Sequence, residues 1–75
     1  MQIDHFYEQV FNIVVGSNQH LWIATDVLRK MGVRQPSSRS YQYRRALAAL
    51  HRMEHEGMLR KRVLPHNVTV FWVIP

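Results

Sequence analysis

Apolar residues recur along this chain with two different periods, and the two periods predict different elements. Spacings of three and four residues predict helices at about residues 5–15, 24–31 and 38–56. Short apolar or alternating segments predict strands at residues 21–23, 59–64 and 68–73. The last two strands are expected to form a hairpin, in which Pro65 starts a type I turn and Asn67 adopts the left-handed conformation.

Polar residues and glycines mark the ends of the predicted helices. Asp4 is suited to accept hydrogen bonds from the first N–H groups of the first helix, and Ser37 or Ser38 is suited to cap the third. Glycines stand where the three helices are expected to end, at positions 16, 32 and 57.

The third predicted helix has one apolar face and one basic face. Its apolar face comprises Tyr43, Ala46, Leu47, Leu50 and Met53. Its opposite face comprises Tyr41, Arg44, Arg45, Ala48 and Arg52. We expect the first face to pack in the core and the second to meet solvent or a partner.

Length and composition narrow the class of protein. The chain has 75 residues, of which 47% are hydrophobic, so we expect one small globular domain over residues 1–75. The absence of cysteine excludes a disulfide framework and a cysteine zinc site. The longest uncharged apolar stretch, residues 68–75, is far shorter than the ~20 residues that span a bilayer. These features favour a cytoplasmic protein without a membrane partner.

The positive charge is concentrated in the middle of the chain. Every lysine and arginine lies between Arg29 and Arg62, and the formal net charge is +5. Such a region favours a polyanion, and duplex DNA carries one charge per roughly 1.7 Å of its axis. An α-helix fits the DNA major groove, where arginine pairs with guanine and glutamine with adenine. Double-stranded DNA is therefore the expected partner.

Two segments resemble winged helix-turn-helix proteins. Residues 46–59, ALAALHRMEHEGML, are similar to the end of a recognition helix and the start of the wing. Residues 70–74, VFWVI, are similar to the returning wing strand, with an aromatic pair like that of the small regulators of fimbrial operons. The resemblance implies an α+β fold in which three helices and a small antiparallel sheet form one domain with a β-hairpin wing.

Candidate DNA contacts fall into two groups. The residues expected to face the major groove from the third helix are Arg39, Tyr41, Gln42, Arg44, Arg45 and Arg52. The residues expected to contact phosphates are Ser37, Ser38, Arg60 and Lys61. An alternative role for the basic wing residues is to discourage aggregation through an edge strand.

The faces of the wing strands are open to two interpretations. The simplest register pairs Leu64 with Val68, Arg60 with Trp72 and Lys61 with Phe71. The resemblance favours Trp72 and Ile74 pointing into the core, whereas the arginines favour that face pointing outward. We take the resemblance as the working prediction.

One short motif points to chemistry that the rest of the chain does not support. His51, Glu54 and His55 match H-x-x-E-H, in which two histidines one helical turn apart hold zinc. A catalytic zinc also needs a third protein ligand and a substrate cleft. A chain of this size offers little room for a cleft, so we expect neither an enzyme nor a bound metal or other cofactor.

The first predicted helix has more apolar surface than one buried stripe needs. One flank of it carries Ile3, Tyr7, Phe11 and Val15. The core covers this flank in one interpretation. In the other, the flank is a homodimer contact that spaces two recognition helices about one turn of DNA apart.

The sequence as a whole favours sequence-specific binding of double-stranded DNA. The resemblance implies a small stand-alone regulator of transcription, prokaryotic or phage in type, associated with the nucleoid and acting through the third helix. The alternative is a winged-helix protein–protein interaction module without direct DNA contact, in which the apolar first helix and the wing hold a partner protein.

Overall fold

A computed structural model describes residues 5–74, and they form an α+β fold. The elements are α1 (His5–Gly16), β1 (Leu21–Trp22), α2 (Ala24–Lys30), α3 (Tyr41–His55), β2 (Leu59–Leu64) and β3 (Val68–Val73). Three helices and one antiparallel sheet are consistent with a small winged-helix domain, as expected for the fold class. Within the described chain, none of the helices has the length and apolar character needed to cross a membrane.

Polar contacts fix the segment that leads into α2. The Asp26 carboxylate accepts a hydrogen bond of 3.2 Å from the Ile23 N–H and another of 3.2 Å from Gln19 Nε2. The Gln19 carbonyl in turn accepts a hydrogen bond of 3.0 Å from the indole N–H of Trp22. The buried Trp22 side chain therefore has its polar atom satisfied. The predicted cap of α1, Asp4, lies outside the described residues.

The third helix begins later than predicted, and its cap is neither Ser37 nor Ser38. Ser40 caps α3, because its hydroxyl accepts a hydrogen bond of 3.0 Å from the Tyr43 N–H. The Ser37 hydroxyl instead accepts from the Arg39 N–H at 3.2 Å, and the Ser37 carbonyl accepts from the Ser40 N–H at 3.0 Å. Such local bonds compete with helix formation. Arg39 therefore lies in the turn before α3.

The core lies between the three helices and one face of the sheet. Its largest fully buried side chains come from all of these elements: Val10, Val14, Trp22, Val27, Leu28, Leu50, Met53 and Phe71. Of the stripe predicted on α3, Tyr43 and Leu47 are only partly buried, whereas Ala49, which was not predicted, is buried. The buried face of α3 is broader than one stripe because α3 packs against both α1 and α2.

The sheet has the strand order β1-β3-β2, and every neighbouring pair is antiparallel. The hairpin register agrees with the prediction at all three predicted pairs, Leu64–Val68, Arg60–Trp72 and Lys61–Phe71. In β1, Leu21 pairs with Trp72 and Trp22 pairs with Phe71. The central strand β3 therefore has a neighbour on both sides.

The prediction that Trp72 and Ile74 point into the core is wrong. Phe71 is fully buried beside its partner Trp22, and the side chains of a strand alternate between its two faces. Trp72 therefore lies on the outer face of the sheet, where it is partly buried, and Ile74 is 37% exposed. The pairing with β1 decides the inner face, and the hairpin register alone leaves it undetermined.

The loop of the hairpin contains two residues with positive φ. Asn67 has a φ of 62°, as predicted, and His66 has a φ of 70° and a ψ of 20°. A positive φ at the residue after Pro65 is typical of a type II turn, so the prediction of a type I turn is wrong. Asparagine tolerates this conformation better than most residues, and glycine adopts it without steric cost.

We expect His66→Gly to stabilise the protein by about 0.5–1 kcal/mol, because glycine removes the strain of the left-handed conformation at some cost in chain entropy. Thermal denaturation should show a Tm higher by about 2–8 °C. Asn67→Gly is the matched control and should give a smaller gain. A lower Tm for His66→Gly would contradict this account of the loop.

Candidate nucleic-acid interface

The face of α3 that points away from the core carries residues with little engagement to the rest of the fold. Tyr41 is 73% exposed, and Arg44 and Ala48 are also exposed. No described residue forms an ion pair with Arg44. The small Ala48 side chain leaves the helix backbone accessible beside this arginine. The centre of the exposed face thus combines Arg44, which has no ion pair within residues 5–74, with the phenol ring of Tyr41 and the flat surface around Ala48.

Arg45 lies at the border between this face and α1. Its Cζ atom is 4.3 Å from the centroid of the Phe6 ring in α1 and 5.7 Å from that of Tyr41. The guanidinium group therefore stacks on an aromatic ring of the neighbouring helix. Arg45 was predicted to face DNA, and the structure shows it engaged in helix packing.

Arg52 is also held against α1. Its Nε donates to Glu56 Oε1 at 2.9 Å, and its Cζ is 4.1 Å from the centroid of the Tyr7 ring. The Tyr7 hydroxyl donates to the other oxygen of Glu56 at 3.3 Å. Burial and the Glu56 carboxylate raise the pKa of Tyr7, against the opposing effect of Arg52. The charge of Arg52 is therefore partly neutralised within the fold.

The connection from α2 to α3 adds further polar and basic groups. Ser37, Ser38 and Arg39 are exposed in the turn, and Gln42 is exposed in the first turn of α3. Arg34 lies exposed in the same connection and was not among the predicted site residues. Its position between two predicted helices, in a segment with no acidic residue, is the sequence signal that would have identified it.

The wing divides its basic residues between two faces. Lys61 lies on the inner side, where its Nζ is 3.4 Å from His51 Nδ1 and 3.7 Å from Glu54 Oε2. Arg60 is the residue before Lys61 in the strand, so its side chain lies on the outer face. The two predicted phosphate contacts of the wing therefore point in opposite directions, and only Lys61 is close to α3.

No protein-family model, curated protein or solved structure matches this chain. A function for this chain is therefore inferred from the geometry and charge of the described residues.

The histidine pair of the H-x-x-E-H motif is placed in two different environments. His51 packs edge-on against Phe71, with ring centroids 5.1 Å apart and planes 80° apart. His55 is exposed on the same helix. Burial, and then the charge of Lys61, lowers the pKa of His51, while Glu54 acts in the opposite direction. Over residues 5–74, no group of three or more potential metal ligands comes together.

The predicted dimer face is partly taken up within the fold. Ile3 lies outside the described residues, and Tyr7 is covered by Arg52. Phe11 is partly buried, whereas Val15 is 57% exposed. Phe11 and Val15 line an open groove of about 430 Å³ together with residues at the end of α3 and at the end of β3.

Most of the basic side chains form no ion pair with a residue in the described part of the chain. Among the described residues, Arg52 and Lys61 pair with Glu56 and Glu54. The exposed basic residues with no ion pair to a described residue are Arg29, Lys30, Arg34, Arg39, Arg44, Arg60 and Arg62. Most of them lie in α2, in the connection that follows, and in the first half of α3.

We expect Arg45→Ala to destabilise the protein by about 1 kcal/mol, because it removes the guanidinium from the ring of Phe6 together with the packing of its methylene groups. Arg44→Ala is the matched control and should stay within about 0.5 kcal/mol of the parent protein. Urea denaturation of both variants measures the difference. If Arg44→Ala lowered the free energy of unfolding more than Arg45→Ala does, the assignment of Arg45 to helix packing would be wrong.

His51 should make the stability depend on pH. A histidine whose pKa is lowered in the folded state binds fewer protons there, so stability falls as the pH drops below the unfolded value of about 6.5. The Tm should therefore decrease less between about pH 7.5 and about pH 5 in His51→Gln than in the parent protein. His55→Gln, on the exposed side of the same helix, is the control. An equal effect of the two substitutions would contradict the role of His51.

Proposed function

We propose that this protein binds double-stranded DNA through the exposed face of α3 and acts as a small regulator of transcription. The observation that carries the proposal is the position of Arg44. This arginine is exposed, has no acidic partner among the described residues, and lies on the side of α3 that points away from the core.

The dimensions of α3 suit the major groove of DNA. An α-helix is about 10–12 Å across with its side chains, which matches a groove about 12 Å wide, and the 15 residues of α3 give it a length of about 22 Å. Arg44 is positioned to donate two hydrogen bonds to a guanine. Gln42, which can pair with adenine, lies about 160° around the helix from Arg44 and reaches DNA only from the exposed first turn of α3. Tyr41 and Ala48 extend the contact along the exposed face. Base contacts of this kind supply sequence specificity.

Phosphate contacts come from the residues around this face. The exposed hydroxyl-bearing turn places Ser37 and Ser38 next to Arg39, before the first turn of α3. On the wing, Lys61 lies towards α3, and its ion pair with Glu54 is long and partly exposed, so a phosphate could replace it at little cost. Arg60 points to the outer face of the sheet and is not included in this interface.

Arg45 and Arg52 have a supporting role in the proposal. Both guanidinium groups pack on rings of α1, so they hold α3 at a fixed orientation and add positive potential along the edge of the interface. This role differs from the direct base contact expected for them from the sequence. The groove beside Phe11 and Val15 is available to join two copies of the chain on two half-sites.

The proposal is tested by DNA binding of matched arginine variants. A duplex sequence is first selected from a random pool with the parent protein, and fluorescence anisotropy then gives its affinity for each variant. Arg44→Ala should weaken binding about tenfold, because it removes a base contact. Arg62→Ala removes the same charge from the outer face of the sheet and should change the affinity much less.

Salt dependence separates DNA binding from an apolar protein contact. The logarithm of the affinity should fall linearly with the logarithm of the salt concentration between about 50 and 200 mM, with a slope near −0.9 for each phosphate contacted. Equal losses of affinity in Arg44→Ala and Arg62→Ala would show that the protein attracts DNA by its overall charge and that α3 is not a recognition helix. Absence of binding at low salt would overturn the proposal and favour the protein-interaction alternative.

A further inference from the structure

We propose that the outer face of the sheet is a docking surface for a short acidic amphipathic segment of a partner protein. This surface consists of Leu21, Arg60, Arg62, Leu64, Val70 and Trp72, and we refer to it as the outer sheet surface. The inference does not depend on DNA binding, because the exposed face of α3 is on a different side of the molecule.

The outer sheet surface has an apolar floor. Trp72 lies at its centre, paired with Leu21 on one side and Arg60 on the other. Leu21 is 60% exposed and Leu64 is 39% exposed, although both are large apolar residues. An open groove of about 510 Å³ runs over this floor, and Val70 and Trp72 contribute to its lining. Exposed apolar groups gathered around a groove are typical of an interaction site.

The charges of the surface are all of one sign. Arg60 and Arg62 lie on the same face of β2, are exposed, and have no ion pair with a described residue. The acidic residues within residues 5–74 are held elsewhere, since Glu8 belongs to α1, Asp26 caps α2, and Glu54 and Glu56 belong to α3. Within residues 5–74, no carboxylate is paired with these arginines, so the surface presents positive charge to an acidic partner.

The same arrangement argues against other occupants. In a symmetric pair of copies joined through this surface, the arginines of one copy would lie against the arginines or the apolar residues of the other, and neither supplies the carboxylate that a desolvated arginine needs. Duplex DNA offers phosphates to Arg60 and Arg62 but no apolar surface to cover Leu21 and Leu64. A ligand with both carboxylates and apolar side chains satisfies the floor and the arginines together.

The size of the floor suits a short helix. Three strands spaced about 4.8 Å apart give a width of about 10 Å, which is close to the diameter of an α-helix. The arginines line the β2 side, and Leu21 lies on the β1 side. A helix lying along β3 would place apolar residues three and four positions apart over Trp72 and its acidic residues beside the arginines.

The test uses a labelled synthetic peptide of about 12 residues, with leucines at helical spacing and glutamates elsewhere. Its binding to the full chain is measured by fluorescence anisotropy. The double variant Arg60→Glu with Arg62→Glu should weaken binding at least about tenfold, since close charge pairs at interfaces carry more than about 1.4 kcal/mol. The control variant, Arg29→Glu with Lys30→Glu, has the same change in net charge and should bind as the parent does.

A matched peptide with lysines in place of the glutamates should restore binding to the variant that carries glutamates at positions 60 and 62. It should bind the Arg60→Glu, Arg62→Glu variant better than it binds the parent protein, which a misfolded variant could not do. Failure of the acidic peptide to bind, or equal losses in the two double variants, would overturn the proposal. Displacement of the peptide by a single-stranded oligothymidylate with greater affinity would also overturn it, because Trp72 would then be a base-stacking site. DNA binding by the same variants is measured separately, so failure of one proposal leaves the other standing.

Discussion

The cross-strand pairing of Trp22 with Phe71 determines how the rest of the molecule is arranged. Both side chains are fully buried, and together they fix which face of the sheet meets the helices. Since side chains alternate along a strand, this one pair sends Lys61 towards α3 and sends Arg60 and Arg62 outward. The hairpin consequently has one face towards α3, which carries Lys61, and an outer face, which carries Arg60 and Arg62. The burial of Trp22 and Phe71 thus decides on which face each basic residue lies.

The third helix shows a comparable division around its axis. One side is buried, a second side holds Arg45 and Arg52 against the rings of Phe6 and Tyr7, and a third side is exposed around Arg44. Arginines that look equivalent in the sequence therefore differ in what they can do. Those next to α1 stabilise the packing of two helices through cation–π contacts, whereas Arg44 is available to a partner. The proposed interface is thus narrower than the basic face expected from the sequence.

Much of the fold is predictable from local patterns, because periodicity and turn residues act over a few positions. The hairpin register was predicted correctly, since the loop around Pro65 and Asn67 fixes it locally. The start of α3 was missed because Ser37 and Ser40 carry the same side chain, and only the bonds they make distinguish them. The inner face of β3 and the contacts of Arg45 depend on β1 and α1, which are distant in sequence, so no local pattern contains them.

The central claim is that the exposed face of α3 meets duplex DNA, and backbone amide chemical shifts test it most directly. A titration of isotopically labelled protein with a duplex should shift the amides of the turn before α3 and of its first half, around Ser38, Arg39 and Arg44, in a saturable manner. The amides of Leu21 and Val70, on the outer sheet surface, should change little. Shifts confined to those outer residues, with none along α3, would contradict the account.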